Sequence, residues 1–167
     1  MEAHGHHGKA KHAVACAIVT VSDTRTAETD VSGVCIRALL EEAGHRVTDY
    51  AILPDEPACI RAHVEELLAS PALDAVIVNG GTGLAPRDTT YEALDALLEK
   101  RLEGFGELFR MLSYQQVGAA AMLSRATAGV ARGKVVVSLP GAPAAVELAM
   151  EKLVVPELGH MVHLLRA

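Results

Sequence analysis

Tryptophan is absent from the 167-residue chain and all aromatic residues together make up 3% of it, although half the residues are hydrophobic. A core without large rings has to be assembled from Ala, Val, Leu and Ile, as in proteins whose aliphatic strands are buried between layers of helices. Basic residues are also in deficit: 15 Lys and Arg against 21 Asp and Glu leave a formal charge of −6. That balance argues against a general nucleic-acid binder, which needs a basic stripe along its surface, so any phosphate must be held locally. No apolar run approaches the roughly 20 residues that span a bilayer, and the N-terminus lacks the apolar centre of a signal peptide. A cytoplasmic protein without a membrane partner is expected. Cys16, Cys35 and Cys59 are odd in number and widely spaced, which suggests reduced structural thiols rather than a disulfide framework or a CxxC site. No Ser/Gly-rich linker divides the chain. The expected organisation is one domain over residues 13–167, preceded by a loose His-rich tail over residues 1–12.

His4, His6, His7 and His12 lie in that tail among Gly, Lys and Ala, a setting for incidental metal affinity rather than a dedicated site. His45, His63, His160 and His163 show no ligand spacing shared with acidic residues or Cys.

The run from Val14 to Val21 is aliphatic and β-branched and ends in polar Ser22-Asp23-Thr24, which predicts a buried strand followed by a loop. Asp30 or Ser32 can cap the next helix, whose apolar residues recur at spacings of three and four until Gly44 stops it. Arg46 to Leu53 alternates like a second strand, and Pro54-Asp55-Glu56-Pro57 turns into a helix reaching Leu68, with Pro57 at its first position. Leu73 to Val78 predicts a third strand that runs into a glycine loop. A helix from Thr89 or Thr90 to about Lys100 follows, then helical patches between Gly104 and Gly129 broken at Gly106 and Gly118. Val135 to Leu139 predicts the last strand, ended by Pro140-Gly141. Ala142 to Leu153 predicts a helix, and Pro156 opens a short terminal one. This order predicts an α/β fold with a doubly wound sheet of parallel strands joined by right-handed crossovers. Ser22-Asp23, Gly80 to Asp88 and Pro140-Gly141 then all follow the C-terminal ends of strands, where open α/β sheets bind ligands.

The segment NGGTGLAPRDTT carries the strongest chemical signal. Gly80, Gly81 and Gly83 let several backbone N–H groups approach one anion. Thr82 offers a hydroxyl, Arg87 a fork of donors suited to phosphate, and Asp88 a ligand for a phosphate-bridging Mg²⁺. The loop is neither a Walker A motif nor a dinucleotide fingerprint, and taken alone GGTG is also compatible with a tight turn. The residues by themselves predict a phosphorylated small molecule, an adenine nucleotide in particular, at this loop. Ser22 and Asp23 could bind a ligand or simply shape an Asx-type turn, and Asp55 has the same two readings. Phe105 and Phe109 suit core packing. Glu107, Arg110 and Ser113 recur every three residues as a ligand-facing stripe or an exposed ion pair, and Ser124-Arg125 is equally open.

Taken together, TVSDTRTAETDVSG, GGTGLAPRDTTYEA, GFGELFRMLSYQQVG, LSRATAG and SLPGAPAAVELAM closely resemble the molybdenum-cofactor biosynthesis MoaB/MogA family from about Ala13 to His160, with GFGELFRMLSY closer to the MoaB branch. The resemblance implies a three-layer molybdopterin-binding fold that associates as homotrimers or homohexamers. It also implies Mg²⁺-dependent adenylylation of molybdopterin by ATP, with pyrophosphate released and the product passed to a metal-insertion enzyme. By position, Asp55 and Asp88 match the catalytic and metal-binding acids. Gly80, Gly81, Thr82 and Gly83 match the phosphate and pterin loop, with Arg87 beside it. Ser22 and Asp23 match the first loop, Glu107, Arg110 and Ser113 the pterin-side helix, and Pro140 and Gly141 the final loop. On this resemblance the glycine loop holds the pterin and its phosphate, with the triphosphate toward Asp55 and Asp88. Ala142 departs from the Ser or Asn common after the LPG glycine, which removes a polar contact. A molybdopterin-binding module without catalysis is the alternative, and competence-damage-type nucleotide hydrolases carry a related loop.

Overall fold

The computed structural model describes residues 12–167, so the expected tail lies outside the described residues apart from His12. Six strands form one sheet in the order β2-β1-β3-β6-β5-β4. They are β1 Ala15–Val21, β2 Arg46–Leu53, β3 Ala75–Asn79, β4 Lys100–Arg101, β5 Thr127–Ala131 and β6 Lys134–Leu139. The helices are α1 Val31–Glu42, α2 Pro57–Ala69, α3 Thr90–Asp95, α4 Glu103–Val117, α5 Pro143–Ala149 and α6 Val155–Arg166. Along β1 the side chains alternate between two cores. Cys16 and Ile18 pack with Ile36, Leu40, Phe109, Val146 and Leu158 on the face covered by α1, α4, α5 and α6. Ala17, Val19 and Val21 pack with Ile60, Val64, Leu68 and Leu94 on the face covered by α2 and α3. The result is the expected three-layer α/β fold, in which strands buried on both sides are apolar at nearly every position. All seven residues of β1 are buried.

The four expected strands form and pair in parallel as β2, β1, β3 and β6. Two others depart from expectation. Thr127–Ala131 forms β5, a hairpin partner antiparallel to β6, and the short β4 pairs antiparallel with β5. The turn between β5 and β6 passes through Arg132 and Gly133, both at positive φ, which suits a tight hairpin. The sequence signal was weak because Thr127-Ala-Gly-Val-Ala alternates only among small residues. Consequently the helix expected to reach about Lys100 ends at Asp95, and Lys100 lies in β4.

Gly106 does not break the helical stretch: α4 runs unbroken through it, with Gly106 buried against Ala126, and ends at Gly118. The helix expected from Ala142 to Leu153 gives way after Ala149 to a π-helical turn, Met150–Val154, that leads into α6. Pro156 has no N–H for the carbonyl four residues back, and the wider turn accommodates that gap. The terminal helix is therefore 12 residues long rather than short. Asp30 caps α1 by accepting from the Gly33 N–H, and Pro57 opens α2 as expected. Among the described residues no helix is long and apolar enough to cross a membrane. The cysteines are free, with Cys16 buried, Cys35 half-buried and Cys59 exposed.

Candidate functional site

A cavity of about 660 Å³ opens at the C-terminal edge of the parallel strands, within the range that small-molecule sites occupy. Its walls come from the loop after β1 (Ser22, Thr24 and Arg25), the loop after β3 (Gly80 to Gly83, and Asp88), the loop after β6 (Pro140 to Ala142) and the inner end of α4 (Ser113 and Gln116). These segments meet because β1, β3 and β6 are neighbours that all point the same way. The approach is close. A Cβ on Gly80 would run into the Val21 carbonyl, and one on Gly141 would lie 3.1 Å from the Gly80 Cα.

The glycine loop is held from outside so that its inner surface stays free. Gly80 and Gly81 have φ of 96° and 65°. The Gly80 N–H donates to the Leu139 carbonyl and the Gly81 carbonyl accepts from Thr90 N–H, both at 3.0 Å. The N–H groups of Gly81, Thr82 and Gly83 donate to no group among the described residues, and neither does the Thr82 hydroxyl. Consecutive unpaired N–H groups around a concave loop make an anion cradle.

Arg125 fixes the loop from behind. Its Nε donates to the Thr82 carbonyl at 3.0 Å, and one terminal nitrogen donates to the carbonyls of Gly83 at 2.6 Å and Asp88 at 3.3 Å. The other terminal nitrogen pairs with Glu92, and the guanidinium lies over the Tyr91 ring, 5.1 Å from its centroid. Hydrogen bonding to Arg125 outweighs the opposing effect of burial and holds the Glu92 carboxyl below the usual carboxylate range. The Gly81 carbonyl, held by Thr90, and the Thr82 carbonyl, held by Arg125, belong to the peptide units that carry the Thr82 and Gly83 N–H groups, so those N–H groups point away from Thr90 and Arg125.

Asp55 supports the same loop but does not line the cavity. One carboxylate oxygen accepts from the Thr89 hydroxyl at 2.7 Å and the Thr89 N–H at 3.1 Å. The other packs against Gly81, where a Cβ would collide with it and with the buried Thr90 hydroxyl. That Thr90 hydroxyl has no hydrogen-bond partner. Asp88 lines the cavity, and its carboxylate accepts no hydrogen bond among the described residues. It is the acid best placed to meet a Mg²⁺ carried on phosphates. No cluster of three or more His, Cys, Asp or Glu side chains suited to a metal occurs among the described residues, but Mg²⁺ commonly needs only one or two carboxylates plus phosphate and water. The donor set fits a cation that arrives with its anion.

Of the residues expected at the site, Ser22, Gly80, Gly81, Thr82, Gly83, Asp88, Ser113, Pro140 and Gly141 come together around the cavity. Asp23, Asp55, Arg87, Glu107 and Arg110 do not line it. Arg87 is exposed and clamped between Asp23, at 2.8 and 3.1 Å, and Glu56, at 2.7 Å. Asp23 also accepts from the Asp55 N–H at 3.0 Å, so these charges lace the first three loops together on their outer side. The hydrogen bonds from Arg87, then that N–H, hold the Asp23 carboxyl below its ordinary value. Glu107 is exposed on the outer face of α4. Arg110 lines a separate cavity of about 310 Å³ with Gly106, Tyr91 and Arg125. The expected shared stripe therefore splits: Ser113 turns inward, Arg110 sideways and Glu107 outward.

Residues whose roles the sequence left open include Arg125 and a buried hub at Asp30. The Asp30 carboxylate accepts from the Thr20 hydroxyl at 2.5 Å, the Tyr50 hydroxyl at 2.7 Å and the Gly33 N–H at 3.0 Å. Burial pushes its pKa up, but those hydrogen bonds and the charge of Arg25 prevail and hold it below the usual value. Tyr50 is pushed up to about 12 by burial and by its bond to Asp30. The signal for this hub was Asp30 beside Ser32-Gly33, legible only as a helix cap.

Residues 17–160 match a family model described as a probable molybdopterin binding domain. The chain is 50% identical over 162 residues to Molybdenum cofactor biosynthesis protein B of Halalkalibacterium halodurans, covering 96% of this chain and 95% of that relative. A crystal structure of Molybdenum cofactor biosynthesis protein B superposes with a TM-score of 0.91 at 52% identity, covering 94% of this chain and 98% of the other. The tungsten cofactor synthesizing protein MoaB from Pyrococcus furiosus superposes at 0.84 with 36% identity over 93% and 98% of the two chains. With the fold, the motifs and nearly the full length in agreement, this chain belongs to the MoaB/MogA family of molybdenum-cofactor biosynthesis proteins.

Proposed function

We propose that this protein adenylylates molybdopterin at the cavity beside the Gly80 to Gly83 loop. An oxygen of the pterin's terminal phosphate attacks the α-phosphorus of ATP, the bond to the β-phosphate oxygen breaks, and pyrophosphate leaves. The adenylylated product then passes to an enzyme that inserts molybdate or tungstate. The observation that carries this reading is the loop itself: Gly81, Thr82 and Gly83 line the cavity, and their N–H groups have no acceptor among the described residues. Catalysis of nucleotidyl transfer rests on positioning and charge stabilisation, so the chain needs no nucleophile of its own. Thr82 and Ser22 can donate to phosphate oxygens, while Asp55 keeps the loop in shape through Thr89. Mg²⁺, held by Asp88 together with phosphate oxygens and water, would neutralise charge on the departing pyrophosphate.

A homotrimer or a pair of trimers in the cytoplasm is the assembly proposed. Support comes from exposed apolar side chains on α4 and the turn after it, including Met111 at 54%, Val117 at 56% and Met122 at 77% exposure, more than scattered surface residues usually present. One observation favours a molybdopterin-binding module without catalysis: Asp55 is occupied in structural hydrogen bonds behind the loop. Incubation with molybdopterin and Mg-ATP, with pyrophosphate as the readout, separates the two. The wild type is expected to release pyrophosphate and Asp88→Asn to lose most of that activity. Tight molybdopterin binding without pyrophosphate release would refute the enzymatic reading.

A further inference from the structure

Neither of the two arginines singled out by motif, Arg87 and Arg110, reaches the main cavity. Arg25 does, and it is the only basic side chain among the described residues that line it. It sits on the first loop, three residues beyond Ser22, whose hydroxyl accepts from the Arg25 N–H at 3.1 Å. One terminal nitrogen donates to the Gly141 carbonyl at 2.8 Å, a contact across 116 residues. The other lies 3.5 Å from Asp30. The Ser32 hydroxyl donates to the same Gly141 carbonyl at 2.8 Å. The guanidinium is thus steered by a buried carboxylate on one side and a twice-bonded carbonyl on the other. A guanidinium has five N–H donors, and these contacts leave others, including Nε, for a ligand. With 26% of the side chain exposed, it is neither a buried structural charge nor a free surface one.

Its place also gives the cavity two unlike ends. Gly141 crowds against Gly80, so Arg25 stands at the Gly80 end of the glycine loop. Asp88 packs against Gly83 at the other end. A bare phosphate is attracted to the first and repelled by the second, whereas phosphate that carries a divalent cation is accepted at the second.

From this arrangement we infer that Arg25 is the phosphate-binding cation of the cavity, receiving the metal-free acceptor phosphate, and that Asp30 is the residue that positions it. The inference rests on the proposed binding of phosphorylated substrates at this cavity and assigns the ends of that site. Tyr50 and Thr20 contribute by holding the Asp30 carboxylate, and Ser32 by holding Gly141 where Arg25 can reach it.

The test uses the full-length protein and two probes, inorganic phosphate without metal followed by NMR titration and Mg-ATP followed by calorimetry. Arg25→Ala and Arg25→Gln should each weaken phosphate binding at least about tenfold, the usual scale for losing a charge-assisted bond, and change Mg-ATP binding far less. The glutamine variant keeps an N–H for the Gly141 carbonyl, so a loss shared by both variants reports the charge rather than a loosened loop. Asp88→Asn should do the reverse. Arg46→Ala, an exposed charge at the far end of β2, controls for net charge. Phosphate binding by both Arg25 variants equal to wild type, or equal losses for both probes, would overturn the assignment. A wild-type protein that binds neither probe would overturn the underlying binding reading instead.

Discussion

Removing the Arg125 guanidinium should loosen the glycine loop without dismantling the domain. In Arg125→Ala the carbonyls of Thr82, Gly83 and Asp88 lose a charged donor at 3.0, 2.6 and 3.3 Å. A hydrogen bond to a charged group contributes about 1.5–3 kcal/mol when buried. Here the side chain is 23% exposed and water can reach some of the freed acceptors, so two good bonds are worth about 2–4 kcal/mol in all rather than their full sum. None of these groups lies in the two cores formed around β1, so the loss should fall mainly on the order of residues 82–88. If holding the loop then costs about 1.5 kcal/mol at the moment of binding, Mg-ATP affinity falls roughly tenfold. Calorimetry would read the affinity, urea titration the global stability, and amide hydrogen exchange the local opening, with faster exchange expected at Thr82 to Asp88. Arg125→Lys keeps the charge but not the fork and should fall between. Unchanged affinity together with unchanged exchange in Arg125→Ala would refute the idea that this residue shapes the anion cradle.

Gly81→Ala should destabilise the protein by about 2–4 kcal/mol, because the added Cβ combines a left-handed backbone with collisions against buried Thr90 and Asp55. Gly44→Ala shares the positive φ but meets nothing within 4 Å. It should cost only about 1–2 kcal/mol in the same urea titration, and equal losses in the two variants would contradict the close-packing argument. Acid stability should depend on Asp30. Its folded pKa lies below the ordinary value of 3.8, so the unfolded chain binds more protons between the two values. The stabilisation is therefore complete above the unfolded pKa and is lost as pH falls through the folded one. Urea titrations from about pH 6 to pH 2 should show a shallower acid decline in Asp30→Asn than in wild type, and the same slope in both would count against the hub.

Much of this was legible from local pattern. The aliphatic runs marked β1, β3 and β6, because strands buried on both faces are apolar at most positions, with one buried polar residue each at Thr20, Asn79 and Ser138. Asp30 and Pro57 announced the starts of α1 and α2, since a helix start is a problem of local hydrogen bonding. Thr127–Ala131 escaped notice because its residues pack by virtue of β6 beside them, not by their own periodicity. Gly106 looked like a helix break from sequence, whereas its lack of a side chain lets α4 lie close to Ala126.

The glycine loop and its position after a strand were determined by sequence, because glycine spacing and strand ends are local properties. Which charges surround that loop was decided by tertiary structure. Arg87 stands in the motif but turns out to Asp23 and Glu56, while Arg25 reaches Gly141 from 116 residues away and Arg125 reaches Thr82 from 43. Those encounters follow from the order in which β1, β3 and β6 lie side by side. The direction of a long side chain depends on which neighbours that order supplies.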